Sequence, residues 1–170
     1  MSTDAYSRRE FSLRAAALIA FGPIAGVRQG GEVTHDAESI HQEVTINASR
    51  ARVYRALTDA AQFSAMTKFS MVPKAVPAVI GRDAGSAFAL FDGHIVGRQL
   101  ELVPDQRIVQ AWRVADWAPG IFSIARFELK EQGAKTTIVF DHTGFPKGLG
   151  RHLAEGWHAN YWTPLQKSLS

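Results

Sequence analysis

A chain of 170 residues, 46% hydrophobic and 21% charged, has the proportions of one soluble globular domain with a short appendage. A net charge of +3, with the cations dispersed along the chain, offers no basic face of the kind that nucleic-acid binders concentrate. No cysteine is present, which excludes disulfides, thiolate metal sites and a cysteine nucleophile.

The first 34 residues read as an export signal and linker. Ser7-Arg8-Arg9-Glu10-Phe11 resembles the twin-arginine signal and precedes an apolar run from Ala15 to Val27. That run is too short for a bilayer span, which needs roughly 20 apolar residues, so the mature protein is expected to keep no stable membrane span. The match departs at Ser12, where Leu is usual, and at Leu13, where Lys is common; Ile24-Ala25-Gly26 is a usable but poor cleavage site. On this reading the protein is exported already folded, to the periplasm or beyond. The alternative is a cytoplasmic protein whose N-terminus is a frayed tail or a helix lying on the domain. Gln29 to Ser39 is polar with Gly30-Gly31, as a linker should be. His35, Glu38 and His41 lack metal-ligand spacing and are expected to be solvated.

Within the domain, residues 35–170, Ile40 to Ala48 alternates and predicts a first strand, with Ile40, Gln42, Val44 and Ile46 on one face. Ser49 is the expected N-cap of a helix in which Val53 and Leu57 share a face. A second short helix is expected over Ala60 to Thr67. Val72 to Ala87, with two prolines and two glycines, has room for a short edge strand at most. From Ser86 the chain predicts a meander of strands, with turns at Asp92-Gly93 (type I′), Pro104-Asp105, Trp117 to Gly120 and Glu131 to Ala134. The last strand is Thr136 to Thr143. After Gly144 the period changes from two to four: Leu153, Trp157, Tyr161, Leu165 and Leu169 form a stripe that wants to face the sheet. Pro164 should kink that helix or start a new one near Thr163.

The residues Phe88 to Gly93 with Ile95 and Gly97, then Leu102-Val103-Pro104, Ile108-Val109, Trp112-Arg113, Gly144-Phe145-Pro146, Gly156-Trp157 and Tyr161-Trp162 resemble the SRPBCC or START-like (helix-grip) superfamily. Within it they are similar to the C-terminal domain of the activator of heat shock protein 90 ATPase. Trp117-Ala118-Pro119-Gly120 departs from the family's Trp-Pro-x-Gly, and Gly85-Ser86 stands where Gly-Gly is frequent. The resemblance covers Ser39 to Ser170. It implies an α+β fold: a curved antiparallel sheet around a long C-terminal helix, two short helices after the first strand, and a cavity between.

The resemblance to a cavity-bearing fold makes Phe88, Phe91, Trp112, Trp117, Phe122, Trp157 and Tyr161 candidates for lining a hydrophobic site for a small apolar molecule or lipid. Core packing is the competing explanation for each of them. Ser123, Arg113, His142 and His158 are the polar candidates. No cofactor, metal or catalytic residue is indicated: the sequence contains no GxSxG, HExxH or phosphate-cradling pattern, and strand parity separates His142 from Asp141. Two alternatives stand beside the ligand-binding reading. One is a chaperone-associated regulator, which requires a cytoplasmic chain; the other is an enzyme resembling the superfamily's cyclases and dehydratases.

Overall fold

The computed structural model describes residues 38–71 and 77–170. The expected signal and linker lie outside them, as do His35 and Pro73. Strand β1 (Ser39–Ile46) alternates as its sequence predicts: Ile40 and Ile46 are buried, and Ser39, His41, Glu43 and Thr45 are exposed. Helix α1 (Arg50–Thr58) buries Val53 and Leu57. Ser49 occupies its N-cap, yet the hydroxyl makes no capping bond; only the Ser49 carbonyl is used, by the amides of Arg52 and Val53. The side chain that does cap is Asp59, whose carboxylate accepts from the amides of Ala61 and Gln62 at 3.0 and 3.1 Å and so opens α2 (Ala60–Met66).

Strands β2 (Val79–Ile80), β3 (Ala87–Leu90), β4 (Ile95–Val103), β5 (Arg107–Val114), β6 (Ser123–Gln132) and β7 (Lys135–Thr143) complete a seven-stranded sheet. Its order is β1-β7-β6-β5-β4-β3-β2, with every pair antiparallel. The expected meander therefore runs from β3 to β7. The short edge strand expected in the Pro- and Gly-containing stretch is β2.

The β3–β4 turn differs from expectation. Leu90 pairs with Ile95, so four residues make the link instead of a two-residue Asp92-Gly93 turn. Phe91, Asp92 and Gly93 all take positive φ, at 53°, 59° and 75°. For an aromatic residue this conformation is strained. The physical reason is burial: leaving the strand one residue early lets the Phe91 ring turn inward, to 8% exposure. Gly97, on β4, is required by close approach. A Cβ there would sit 2.0 Å from the Ala111 carbonyl oxygen and 2.4 Å from the Phe88 ring.

The C-terminal helix lies against the inner face of the sheet. It consists of α3 (Gly150–Trp157), a π turn (His158–Trp162) and α4 (Thr163–Leu169). Pro164 has no N–H to give and its ring crowds the carbonyl of Asn160, so the helix widens there into the π turn; the new start expected near Thr163 does not occur, since the backbone stays helical through Trp162 and Thr163 into α4. The widening also serves the stripe. Residues four apart drift by about 40° per step on an ideal α-helix, and the extra residue of the π turn brings the stripe back. Leu153, Trp157, Tyr161, Leu165 and Leu169 are consequently all buried, with Trp162 beside them.

Three polar ties hold β1 to its neighbours. The Gln42 side chain donates to the Ala154 carbonyl at 3.1 Å and accepts from the Trp162 indole at 2.6 Å. Glu38 accepts from the amides of Gly148 and Gly150 at 2.7 and 2.9 Å, at the start of α3. Thr136 donates to the Ala48 carbonyl at 2.7 Å. Glu38, expected to be a solvated linker residue, is thus an anchor. His41 faces out from the sheet and pairs with Asp141 at 2.6 Å.

Candidate functional site

The inner face of the sheet carries two clusters of aromatic and polar side chains. The first lies under α3. Inward-facing Ser123 on β6 and His142 on β7 are fully buried, and strand parity puts Asp141 on the opposite face, as expected. The Trp157 indole donates to His142 Nδ1 at 3.0 Å, and His142 Nε2 lies 2.7 Å from the Ser123 hydroxyl. An indole N–H can only donate, so Nδ1 is the unprotonated nitrogen and Nε2 carries the proton. That proton goes to the Ser123 oxygen, and the Ser123 hydroxyl in turn donates to the Trp112 carbonyl at 2.8 Å. Every donor and acceptor in the chain is used. His142 has no lone pair left with which to activate Ser123, so the pair is a tie between strands and helix and not a nucleophile–base dyad. Burial holds the His142 imidazole neutral, with its pKa lowered to about 4. The rings of Trp112, Phe140, Phe145 and Trp157 pack around it.

The second cluster lies under the π turn. Tyr161, Phe63 of α2 and Phe91 of the β3–β4 turn form a triangle of edge-on rings, with centroids 5.5 to 5.7 Å apart. Beside it is a void of about 10 Å³, space for about one water molecule. Tyr161, Phe63, Phe88, Ile108, Phe127 and Gln110 are among its lining residues. Gln110 on β5 faces Gln99 on β4 across the ladder and donates to its side-chain oxygen at 3.2 Å. A register shift follows Gln99, where Leu100 bulges out of the sheet.

Polar atoms in this second region lack partners. Gln99 Nε2, Trp112 Nε1 and the Tyr161 hydroxyl are buried with no hydrogen bond inside the protein. The Trp112 indole lies close enough to Tyr161 to act on its ionisation, but the two make no bond of proper geometry. Burial raises the Tyr161 pKa far above its ordinary value, so the hydroxyl keeps its proton. Among the described residues no carboxylate, lysine or arginine is buried.

Of the seven candidate lining residues, Phe88 and Tyr161 border the void; Phe91 does not, but its ring packs against Phe63 and Tyr161, which do. Trp112 lies between the two clusters, Trp157 belongs to the first, and half-buried Trp117 stacks edge-on against Trp112 at 5.6 Å. Phe122 is not interior. It is 46% exposed in the loop before β6, where the Arg113 guanidinium lies 5.5 Å from its ring. Arg113 donates to the carbonyls of Val114, Ala115 and Trp117 and so braces that loop. His158 is exposed. Sequence reasoning missed Gln99, Gln110 and Phe63. A signal existed for Gln110, which shares inward parity with Ile108 and Trp112.

A long C-terminal helix gripped by a curved antiparallel sheet, with two short helices after the first strand, defines the helix-grip, or START-like, class. Residues 47–170 match the family model described as Activator of Hsp90 ATPase homolog 1-like protein, and the chain belongs to that family. The human Activator of 90 kDa heat shock protein ATPase homolog 1 is 25% identical over 124 residues, covering 73% of this chain and 35% of the human protein. The Dictyostelium discoideum Activator of 90 kDa heat shock protein ATPase homolog is 29% identical over 89 residues, 52% of this chain and 23% of its own length. This chain thus spans about a third or less of these curated relatives. Among solved structures, an HSP90 activator from Plasmodium falciparum aligns with a TM-score of 0.65 at 22% identity, covering 72% of this chain and 89% of that one. CalU16 from Micromonospora echinospora aligns with a TM-score of 0.64 at 21% identity, covering 79% and 77%. At these identities the structures establish the fold.

Proposed function

We propose that this chain is a binding module that takes a small apolar molecule or lipid between the sheet and the C-terminal helix, without catalysing a reaction on it. The observation that carries this reading is the second cluster. There a water-sized void is bordered by the rings of Phe63, Phe88, Phe127 and Tyr161, and a phenylalanine held in a strained left-handed conformation, Phe91, packs against two of those rings. Backbone strain of this kind persists where the surroundings impose it, and it gathers at ligand clamps and switch regions. Binding then proceeds by withdrawal of the Phe91 turn from a chamber that rests closed. A neutral apolar dye such as Nile red should bind saturably and raise the melting temperature by mass action. Phe91→Gly, which removes the ring and suits the positive φ, should tighten it. Saturation with no rise in melting temperature counts against the reading.

A second reading is favoured by the family match and the names of the curated relatives: a regulator that stimulates the ATPase of heat shock protein 90. It predicts a concentration-dependent change in chaperone ATP turnover, and a flat response over a wide range of concentration would end it. The two readings diverge in compartment. We propose export by the twin-arginine route, which would keep the chain from a cytosolic chaperone. The Arg8→Lys/Arg9→Lys variant should then stay full-length inside the cell while the parent is shortened and exported.

A further inference from the structure

Three buried hydrogen-bond donors in one part of the interior have no partner inside the protein; the Asn160 side-chain oxygen, in the π turn, is a buried acceptor that likewise has none. Gln110 borders the void and engages the oxygen of Gln99, leaving the Gln99 amide nitrogen unpartnered. Two residues along β5 from Gln110, on the same face, Trp112 presents an indole N–H that can only donate. Tyr161, 5% exposed and bordering the same void from the π turn, holds its hydroxyl proton without an acceptor. Removing such groups from water without a partner costs about 1–3 kcal/mol each. The cost is concentrated here, whereas the equally buried His142 cluster a few residues away is fully paired.

We infer that this void is a recognition point for a neutral oxygen acceptor, the carbonyl or hydroxyl of an otherwise apolar ligand, received by the Tyr161 hydroxyl, with the unpartnered donors of Trp112 and Gln99 in the wall behind it. The inference rests on the interior-binding reading and deepens it by naming the ligand's polar group. The sign of the chemistry follows from the donor set. The indole and the amide nitrogen offer hydrogens only, and the phenol completes them with its own. The neutrality follows from the surroundings: among the described residues no lysine or arginine is buried, so a carboxylate or phosphate would enter without a counter-charge. The volume follows too. A void of about 10 Å³ accommodates one oxygen, and displacement of the Phe91 ring from Tyr161 would make room for the ligand's apolar body.

The test uses the full chain labelled with 15N-tryptophan and three probes of like shape: acetophenone, ethylbenzene and benzoate. Acetophenone should saturate and move the Trp112 indole N–H resonance downfield, and benzoate at pH 8 should bind at least tenfold more weakly. Tyr161→Phe should weaken acetophenone about tenfold and leave ethylbenzene unchanged or slightly tighter, since one lost hydrogen bond is worth about that factor. If acetophenone and ethylbenzene both bind but neither responds to Tyr161→Phe, the inference is overturned and the interior-binding reading stands. Benzoate binding as tightly as acetophenone overturns the neutral-acceptor claim. No saturable binding of either uncharged probe overturns both.

Discussion

Two ends of one inner face are built from the same residue types and treated differently. Under α3, the Trp157 indole, the His142 ring and the Ser123 hydroxyl form a closed hydrogen-bond chain ending on a backbone carbonyl. Under the π turn, an indole, a phenol and an amide are buried unpartnered near a small void that the phenol's ring borders, and a strained phenylalanine packs against that ring. The first arrangement is what stability selects, because buried polar groups cost least when every one is paired. The second spends stability, and a ligand that supplies an acceptor would recover it. The contrast places rigidity at one end of the grip and adaptability at the other.

The paired end can be broken most severely at Trp157. Trp157→Ala should cost about 4 kcal/mol in urea denaturation, because it leaves a large cavity and orphans His142 Nδ1. Acid is the next largest perturbation. The folded His142 pKa of about 4 lies below the unfolded value near 6.5, so between these pH values the unfolded chain binds the proton and the folded chain does not. Its contribution is whole above pH 6.5, falls as the pH is lowered towards 4 and levels off below. The loss is on the order of 3 kcal/mol. His142→Gln should remove this slope from stability measured at pH 4.5, 5.5 and 7, and a variant with an unchanged slope would assign the acid sensitivity elsewhere.

At the adaptable end, Gly97→Ala should cost about 2–3 kcal/mol by pushing the Ala111 carbonyl of the pairing strand and the Phe88 ring on the wall of the void, a change that a calorimetric melting temperature would register. Glu38→Ala, outside both clusters, should cost about 1–2 kcal/mol through the two amides it leaves at the start of α3. Tyr161→Phe should have the smallest effect, within about 1 kcal/mol of neutral and stabilising in sign, because it deletes a hydroxyl with no partner. A large destabilisation by Tyr161→Phe would show that the phenol is paired after all and would erase the contrast between the two ends.

Much of the fold was legible before any coordinates. The alternation of Ile40, Gln42, Val44 and Ile46 oriented β1, because side chains on a strand point to opposite faces in turn. Turn residues between β-rich runs marked the meander, the four-residue stripe from Leu153 to Leu169 anticipated the buried face of the last helix, and Pro164 marked where that helix departs from α geometry, as a π turn rather than a break. These features are local, decided by backbone geometry within a few residues of each other. The candidate site was legible only in part. Phe88 and Tyr161 border one void and Phe91 packs against Tyr161, but Phe122 faces solvent, because the loop before β6 swings it outside against Arg113.

The sequence alone determined the order of elements, the family and the inward face of most of them, since periodicity, turn chemistry and motif order are written in neighbouring residues. Tertiary structure decided which distant groups meet. It set Glu38 against Gly148 and Gly150, Gln42 between Ala154 and Trp162, and the Trp157–His142–Ser123 chain across strands and helix. It also decided how much space the rings leave between sheet and helix. That remainder, about 10 Å³ with unpartnered donors near it, depends on the summed fit of side chains from seven elements, and no local pattern in the chain encodes such a sum.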